Sequence, residues 1–198
     1  MRMQQVAAAA VLVSAPMLAF AQQERDPRET VTALFNGKKV SVEYGRPALK
    51  GRPMKDLLTQ LLPDRVWRMG VDQVTTLDTP IPLVIGGKAV PAGKYSLYLH
   101  APAEGDYALI VNSDPGVPLK TIFPAAPPAL ADALWPRLSG YKEIEAKEVA
   151  RVTLKKVTPA EPIERFKVSL EPVKDGTASA ITLTWGGDAW TTDVKGGK

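Results

Sequence analysis

Residues 30–44 read TVTALFNGKKVSVEY, and this stretch decides the fold. Asn-Gly between two alternating apolar runs is the strongest short-range signal for a β-hairpin, because the favoured two-residue turn holds both central residues left-handed. The turn sets the register: Phe35 faces Lys38, Ala33 faces Val40, and Val31 faces Val42. Val31, Ala33, Val40 and Val42 then share one face, while Thr32, Leu34, Lys39 and Ser41 share the other.

Working outward, the same pattern recurs. Gly86-Gly87 joins PIPLVI to KAVP, and Gly186-Gly187 joins AITLTW to DAWTTDV, which sets Leu183 opposite Trp190. Period-two runs lie between: Tyr95, Leu97 and Leu99 in KYSLYLH, Tyr107, Leu109 and Val111 in YALIVN, and Phe166, Val168 and Leu170 in ERFKVSLE. Residues 151–157, RVTLKKV, read as a more polar edge strand. One stretch has the helical period: Met54, Leu57, Leu58, Leu61 and Leu62, with Pro53 suited to its start and Pro63 to its stop. Residues 113–141 carry Pro115, Pro118, Pro124, Pro127, Pro128 and Pro136 and read as a long surface loop with a short helix near Leu130 to Trp135. The expectation is an all-β protein, an antiparallel β-sandwich or jelly-roll-like fold with one short amphipathic helix, formed as a single domain over 29–195.

The chain has 198 residues, with one His and no Cys. That composition excludes Cys-based zinc sites, disulfides and thiol nucleophiles. Residues 1–21, MRMQQVAAAAVLVSAPMLAFA, read as a cleaved secretory signal: Arg2, an uncharged run from Val6 to Phe20, and the small-x-small pattern Ala19-Phe20-Ala21. Pro16 and the length of the run argue against a membrane span, which needs roughly 20 apolar residues. A polar linker, 22–28, follows. The expected location is periplasmic or secreted, with no membrane span in the mature chain. Of the 25 Lys and Arg, Arg2 leaves with the signal, so 24 face 21 Asp and Glu, too mild an excess to argue for nucleic acid.

Candidate chemistry concentrates in two adjacent blocks. Arg46 to Arg68 holds Arg46, Lys50, Arg52, Lys55, Arg65 and Arg68 against Asp56 and Asp64, a patch suited to a carboxylate, a phosphate or a sugar acid. The same arginines could instead tie loops to backbone carbonyls. The next block, VWRMGVDQVTTLDT, combines a bulky aromatic with directional polar groups, the mixture a ligand pocket uses. The expected pocket residues are Arg46, Arg52, Trp67, Arg68, Asp72, Thr75 and Thr76. A Ser96–His100 dyad fails on distance, since four strand residues span about 13 Å where a nucleophile and its base need roughly 3 Å. No calcium-loop pattern accompanies Asp72 and Asp78, and no metal or cofactor is expected. Trp135, Trp185 and Trp190 offer either a sugar-stacking platform or core packing. The leading function is a non-enzymatic binding or accessory module whose partner is a small ligand or an envelope protein. The alternatives are a carboxylate-dependent hydrolase centred on Asp72 and a structural protein that recruits a partner by β-addition at 151–157.

VEYGRPALKGRPM, VWRMGVDQVTTL, IGGKAVPAGKYSLYL and PIERFKVSLE, in that order across roughly residues 29–171, resemble the bacterial domain of unknown function 2911 family. AITLTW looks like the closing strand of that family. The resemblance implies an exported β-rich domain without an established reaction, and it transfers no catalytic residue. After the W-R-x-G block, family members often read G-A-N-E. The matching residues here are Gly70, Val71, Asp72 and Gln73, so acid and amide are exchanged.

Overall fold

The computed structural model describes residues 26–61, 63–137, 140–172 and 179–197. The signal read at 1–21, the linker residues 22–25 and Leu62 of the apolar stripe lie outside them.

The opening hairpin forms as its turn dictates. Strands β1 (Arg28–Phe35) and β2 (Lys38–Gly45) pair with Val31 opposite Val42 and Phe35 opposite Lys38. Asn36 and Gly37 both adopt positive φ, 49° and 72°. The helical stripe gives α1 (Met54–Leu58), with Pro53 as its N-cap and Met54 and Leu58 buried. Strands β3 (Val66–Trp67) and β4 (Thr76–Thr79) follow, then the Gly86-Gly87 hairpin of β5 (Leu83–Ile85) and β6 (Lys88–Val90). Next come β7 (Gly93–His100) and β8 (Ala108–Asn112).

The Pro-rich segment is more structured than its composition suggests. It holds β9 (Val117–Pro118), α2 (Leu119–Ile122), a 3-10 turn at Pro128–Leu130 and β10 (Leu134–Trp135), which pairs with β9. The helix expected near Leu130 to Trp135 is instead a 3-10 turn followed by a strand, and Pro136 favours extended backbone at Trp135 before it. Strands β11 (Glu148–Thr153), β12 (Lys155–Val157), β13 (Ile163–Pro172), β14 (Ser179–Gly186) and β15 (Asp188–Gly196) complete the chain.

Two large antiparallel sheets result beside the β9–β10 pair. The first runs β1-β2-β4-β7-β8-β11, with β3 also on β7; the second runs β13-β14-β15-β5-β6, with β12 also on β15. Their inner faces share one core that includes Val40, Val42, Leu97, Leu99, Phe166, Val168 and Leu183. The fold is an all-β sandwich. The run 151–157 is not one strand: it breaks at buried Leu154 and passes from the first sheet to the second.

The first sheet has a second, smaller core on its outer face. Tyr98 and Ile110 pack there with Val74, Tyr141 and Ile144. The alternate face of β7, which carries Ser96, Tyr98 and His100, is therefore largely covered by residues from 113–137 and 140–147. Asn112, fully buried, holds this cover with its Nδ2, which donates to Tyr141 Oη at 3.0 Å and to the Ile144 carbonyl at 2.8 Å.

Candidate functional site

Between this cover, the end of α1 and strands β3 and β7 lies a cavity of about 380 Å³, a volume suited to a small ligand. Gln60 and Leu61, just past α1, form one side. Asp64, Val66, Trp67 and Arg68 form the floor, held by β3 pairing with Leu99 and His100. Tyr98 forms the inner wall, and Pro136, Arg137, Gly140, Tyr141 and Ile144 form the roof.

The polar groups of this cavity divide into those already occupied and those left over. Asp64 is occupied: Oδ1 accepts the Val66 amide at 3.2 Å and Oδ2 the Tyr141 amide at 3.0 Å. Tyr141 Oη donates to Glu148 Oε1 at 2.8 Å, and burial pushes its pKa far up, so it is a fixed neutral wall. Arg137 reaches Asp114 Oδ2 at 3.3 Å, and Lys147 reaches the same oxygen at 2.9 Å. Burial alone would push the Asp114 carboxyl up. The Lys147 hydrogen bond, the Gly116 amide and Arg137 outweigh that and hold it below its ordinary value.

Two groups are left over. Arg68 is half-buried and, among the described residues, has neither a carboxylate at ion-pair distance nor a hydrogen-bond acceptor. Burial pushes its guanidinium down from the ordinary value, opposed by the Asp72 carboxylate. The Tyr98 hydroxyl is buried and lacks a partner among the described residues. It lies near Ser96, but Ser96 Oγ gives its proton to the Asp114 carbonyl at 2.6 Å. Unmet buried polar groups and charges are costly, so a ligand that satisfies them gains affinity. Backbone strain concentrates in the same segment: Arg65, Met69 and Asp72 all take positive φ, 55°, 52° and 61°.

The expected pocket residues do not meet in one cavity. Trp67 and Arg68 do. Arg52 lines an adjoining cavity of about 260 Å³, which shares Gln60, Leu61 and Trp67 with the first. Asp72 lines a different cavity of about 480 Å³, with Asp26, Arg28, Gln73, Phe123, Leu130 and Trp135. Arg46 is structural: it pairs with Glu29 at 2.9 Å and donates Nε to the Phe166 carbonyl at 3.2 Å. Thr75 is buried and donates Oγ1 to the Met69 carbonyl at 2.8 Å, and Thr76 lies within β4 between Glu43 and Ser96.

Asp72 and Asp78 do not form a carboxylate pair, since Asp78 sits on β4 beside Lys94 at 3.2 Å. Trp185 and Trp190 are buried, stacked on Trp67 and Tyr107 with ring centroids 5.0 Å and 4.9 Å apart. His100 faces Val66 and Ala108 across its two neighbours, and burial and Arg151 push its imidazole below the ordinary value. Among the described residues no group of three or more His, Asp or Glu could hold a metal ion, and no helix is long and apolar enough to cross a membrane.

Sequence reasoning missed Asp64, Tyr98, Arg137 and Tyr141 as cavity residues. Tyr98 left one signal, a large aromatic on the face of β7 that alternation assigns to solvent. Arg137 left none.

No curated protein and no solved structure matches the chain. A family model does match, over residues 26–194, and the four sequence blocks fall on the strands and turns that build this sandwich and the floor of its cavity. The chain belongs to the family described as protein of unknown function DUF2911.

Proposed function

We propose that the protein is an exported, non-enzymatic binding module whose cavity takes a small anion. The observation that carries this reading is Arg68, a half-buried guanidinium without a counter-ion among the described residues, in a cavity whose one carboxylate already accepts two backbone amides. Arg137 lines the same space and adds positive charge, and Trp67, Leu61, Pro136 and Ile144 supply apolar walls. A guanidinium in such a setting grips a carboxylate or phosphate through two parallel hydrogen bonds. Export follows from the reading of residues 1–21 as a signal.

The test is thermal unfolding of the purified protein with and without galacturonate, phosphate and a neutral methyl ester of the first. A ligand at a hundredfold excess over its Kd stabilises by about 2.7 kcal/mol, several degrees in Tm for a chain of this size. The anions should raise Tm and the ester should not. Arg68→Ala should keep the ligand-free Tm to within about 2 degrees, since among the described residues the side chain has no hydrogen bond or close ion pair to lose, and should show no rise. An ester that stabilises as well as the acids would sink the reading.

A further inference from the structure

We propose that the ligand continues past the Leu61–Trp67 ridge into the adjoining cavity, and that it is a doubly anionic molecule with a ring between its charges, of the class of a uronic-acid oligosaccharide. This rests on the reading of the first cavity as an anion site and names the substrate class of that site.

Three observations support it. The cavities of about 380 Å³ and 260 Å³ have Gln60, Leu61 and Trp67 in common, so they are two lobes of one depression on either side of a ridge. Each lobe also holds an arginine with donors to spare. Arg68 serves the first. In the second, Arg52 donates Nε to the Leu49 carbonyl at 3.1 Å, which orients the guanidinium and leaves its terminal amino groups without an acceptor among the described residues. No Asp or Glu lines the second lobe, and the one acid of the first is engaged with backbone amides. An anion in the second lobe meets no carboxylate, and in the first it meets one already bonded to two backbone amides.

The ridge itself is aromatic and rigid. Trp185 lies nearly parallel to Trp67, with centroids 5.0 Å apart and planes at 9°, and Phe166 meets Trp67 at 71° and 4.8 Å. Two neighbours thus set the orientation of the Trp67 ring, which remains half-buried and lines both lobes. An indole held in place between two cationic lobes suits a uronic-acid disaccharide, whose ring C–H groups pack on an aromatic side chain while the carboxylate of each ring reaches outward. Gly70 lines the second lobe, and a methyl there would press on the Gly45 carbonyl oxygen behind it at 3.1 Å.

The experiment is a calorimetric titration of the full chain with galacturonate, digalacturonate and an aliphatic dicarboxylate of similar span. The disaccharide should bind at least tenfold more tightly than either other probe. In Arg52→Ala, and in the charge-reversed Arg52→Glu, the disaccharide should lose its advantage over the monosaccharide. Equal affinities for mono- and disaccharide in the wild-type protein would overturn the two-lobe proposal while leaving the first cavity as an anion site. An aliphatic diacid that binds as tightly as the disaccharide would overturn the role of the ring. Absence of binding by every acid would overturn this proposal, and, with phosphate also failing to raise Tm, the first reading as well.

Discussion

Asp64 fastens the amide of Tyr141, 77 residues away in sequence, to the floor of the cavity at 3.0 Å. The other oxygen of the same carboxylate holds the Val66 amide, so one side chain ties roof to floor. Charge and geometry make opposite forecasts for its removal. By charge alone, Asp64→Ala would strengthen anion binding. Because the carboxylate positions Tyr141 and the roof, we expect weaker binding, with a stability loss of about 2 kcal/mol for two charge-assisted hydrogen bonds. Calorimetry with galacturonate and a urea melt read the two effects separately.

Arg46 and Arg68 should respond to truncation in opposite ways. Arg46 has an ion pair to Glu29 and a hydrogen bond to the Phe166 carbonyl that joins the two sheets. Arg46→Ala should lower stability by about 1 kcal/mol, since the pair is partly exposed and screened, and should leave the anion response intact. A lost anion response in Arg46→Ala would move the binding site away from the cavity.

Asp114 sets an acid limit on stability. Its folded carboxyl is held below the ordinary value of 3.8, and its side chain is 2% exposed. A depressed carboxyl contributes stability that is complete above the ordinary value and is lost as pH falls from there through the folded value. Asp114→Asn should therefore lose about 2 kcal/mol at neutral pH, and its deficit against the wild type should close in strong acid. His100 acts higher on the pH scale. Its folded imidazole sits below 6.5, so protonation favours the unfolded chain as pH falls below that value. His100→Gln should flatten the stability profile just under 6.5 and leave the Asp114 inflection in place, as chemical denaturation across pH will show.

Gly45 closes on the 69–75 loop so tightly that a methyl group there would overlap the Val71 carbonyl oxygen. Overpacking against backbone costs about 1–3 kcal/mol. Gly45→Ala should show that loss in a thermal melt and should weaken the galacturonate response, because the displaced loop follows Arg68 directly in the chain.

The readable parts of the sequence were those with a local cause. Asn36-Gly37 demanded a turn, and the turn imposed the register of β1 on β2 residue by residue. Trp67 and Arg68 stood out because an indole and a guanidinium interrupt an apolar pattern. The roof had no such cause. Its residues are held by bonds from distant side chains, Asn112 to the Ile144 carbonyl and Asp64 to the Tyr141 amide, and no periodicity records them. The break at Leu154 was silent for a different reason. Val152 and Leu154 both point inward, and the two inner faces share one core, so alternation continues undisturbed while the chain changes sheets. Arg52 and Arg68 line adjoining cavities while Asp72, close to Arg68 in sequence, lines a different one, because the left-handed turns at Met69 and Asp72 redirect the chain.

The change of sheet at Leu154 is one of several, since β5 and β6 join the second sheet between two strands of the first. The sheets are therefore interwoven along the chain, and no contiguous half of the protein is one layer of the sandwich. A nick in the exposed turn at 103–106 would leave both pieces holding strands of each sheet. Neither piece could bury its apolar faces without the other, so the two should stay together through dilution and part only when the whole core melts.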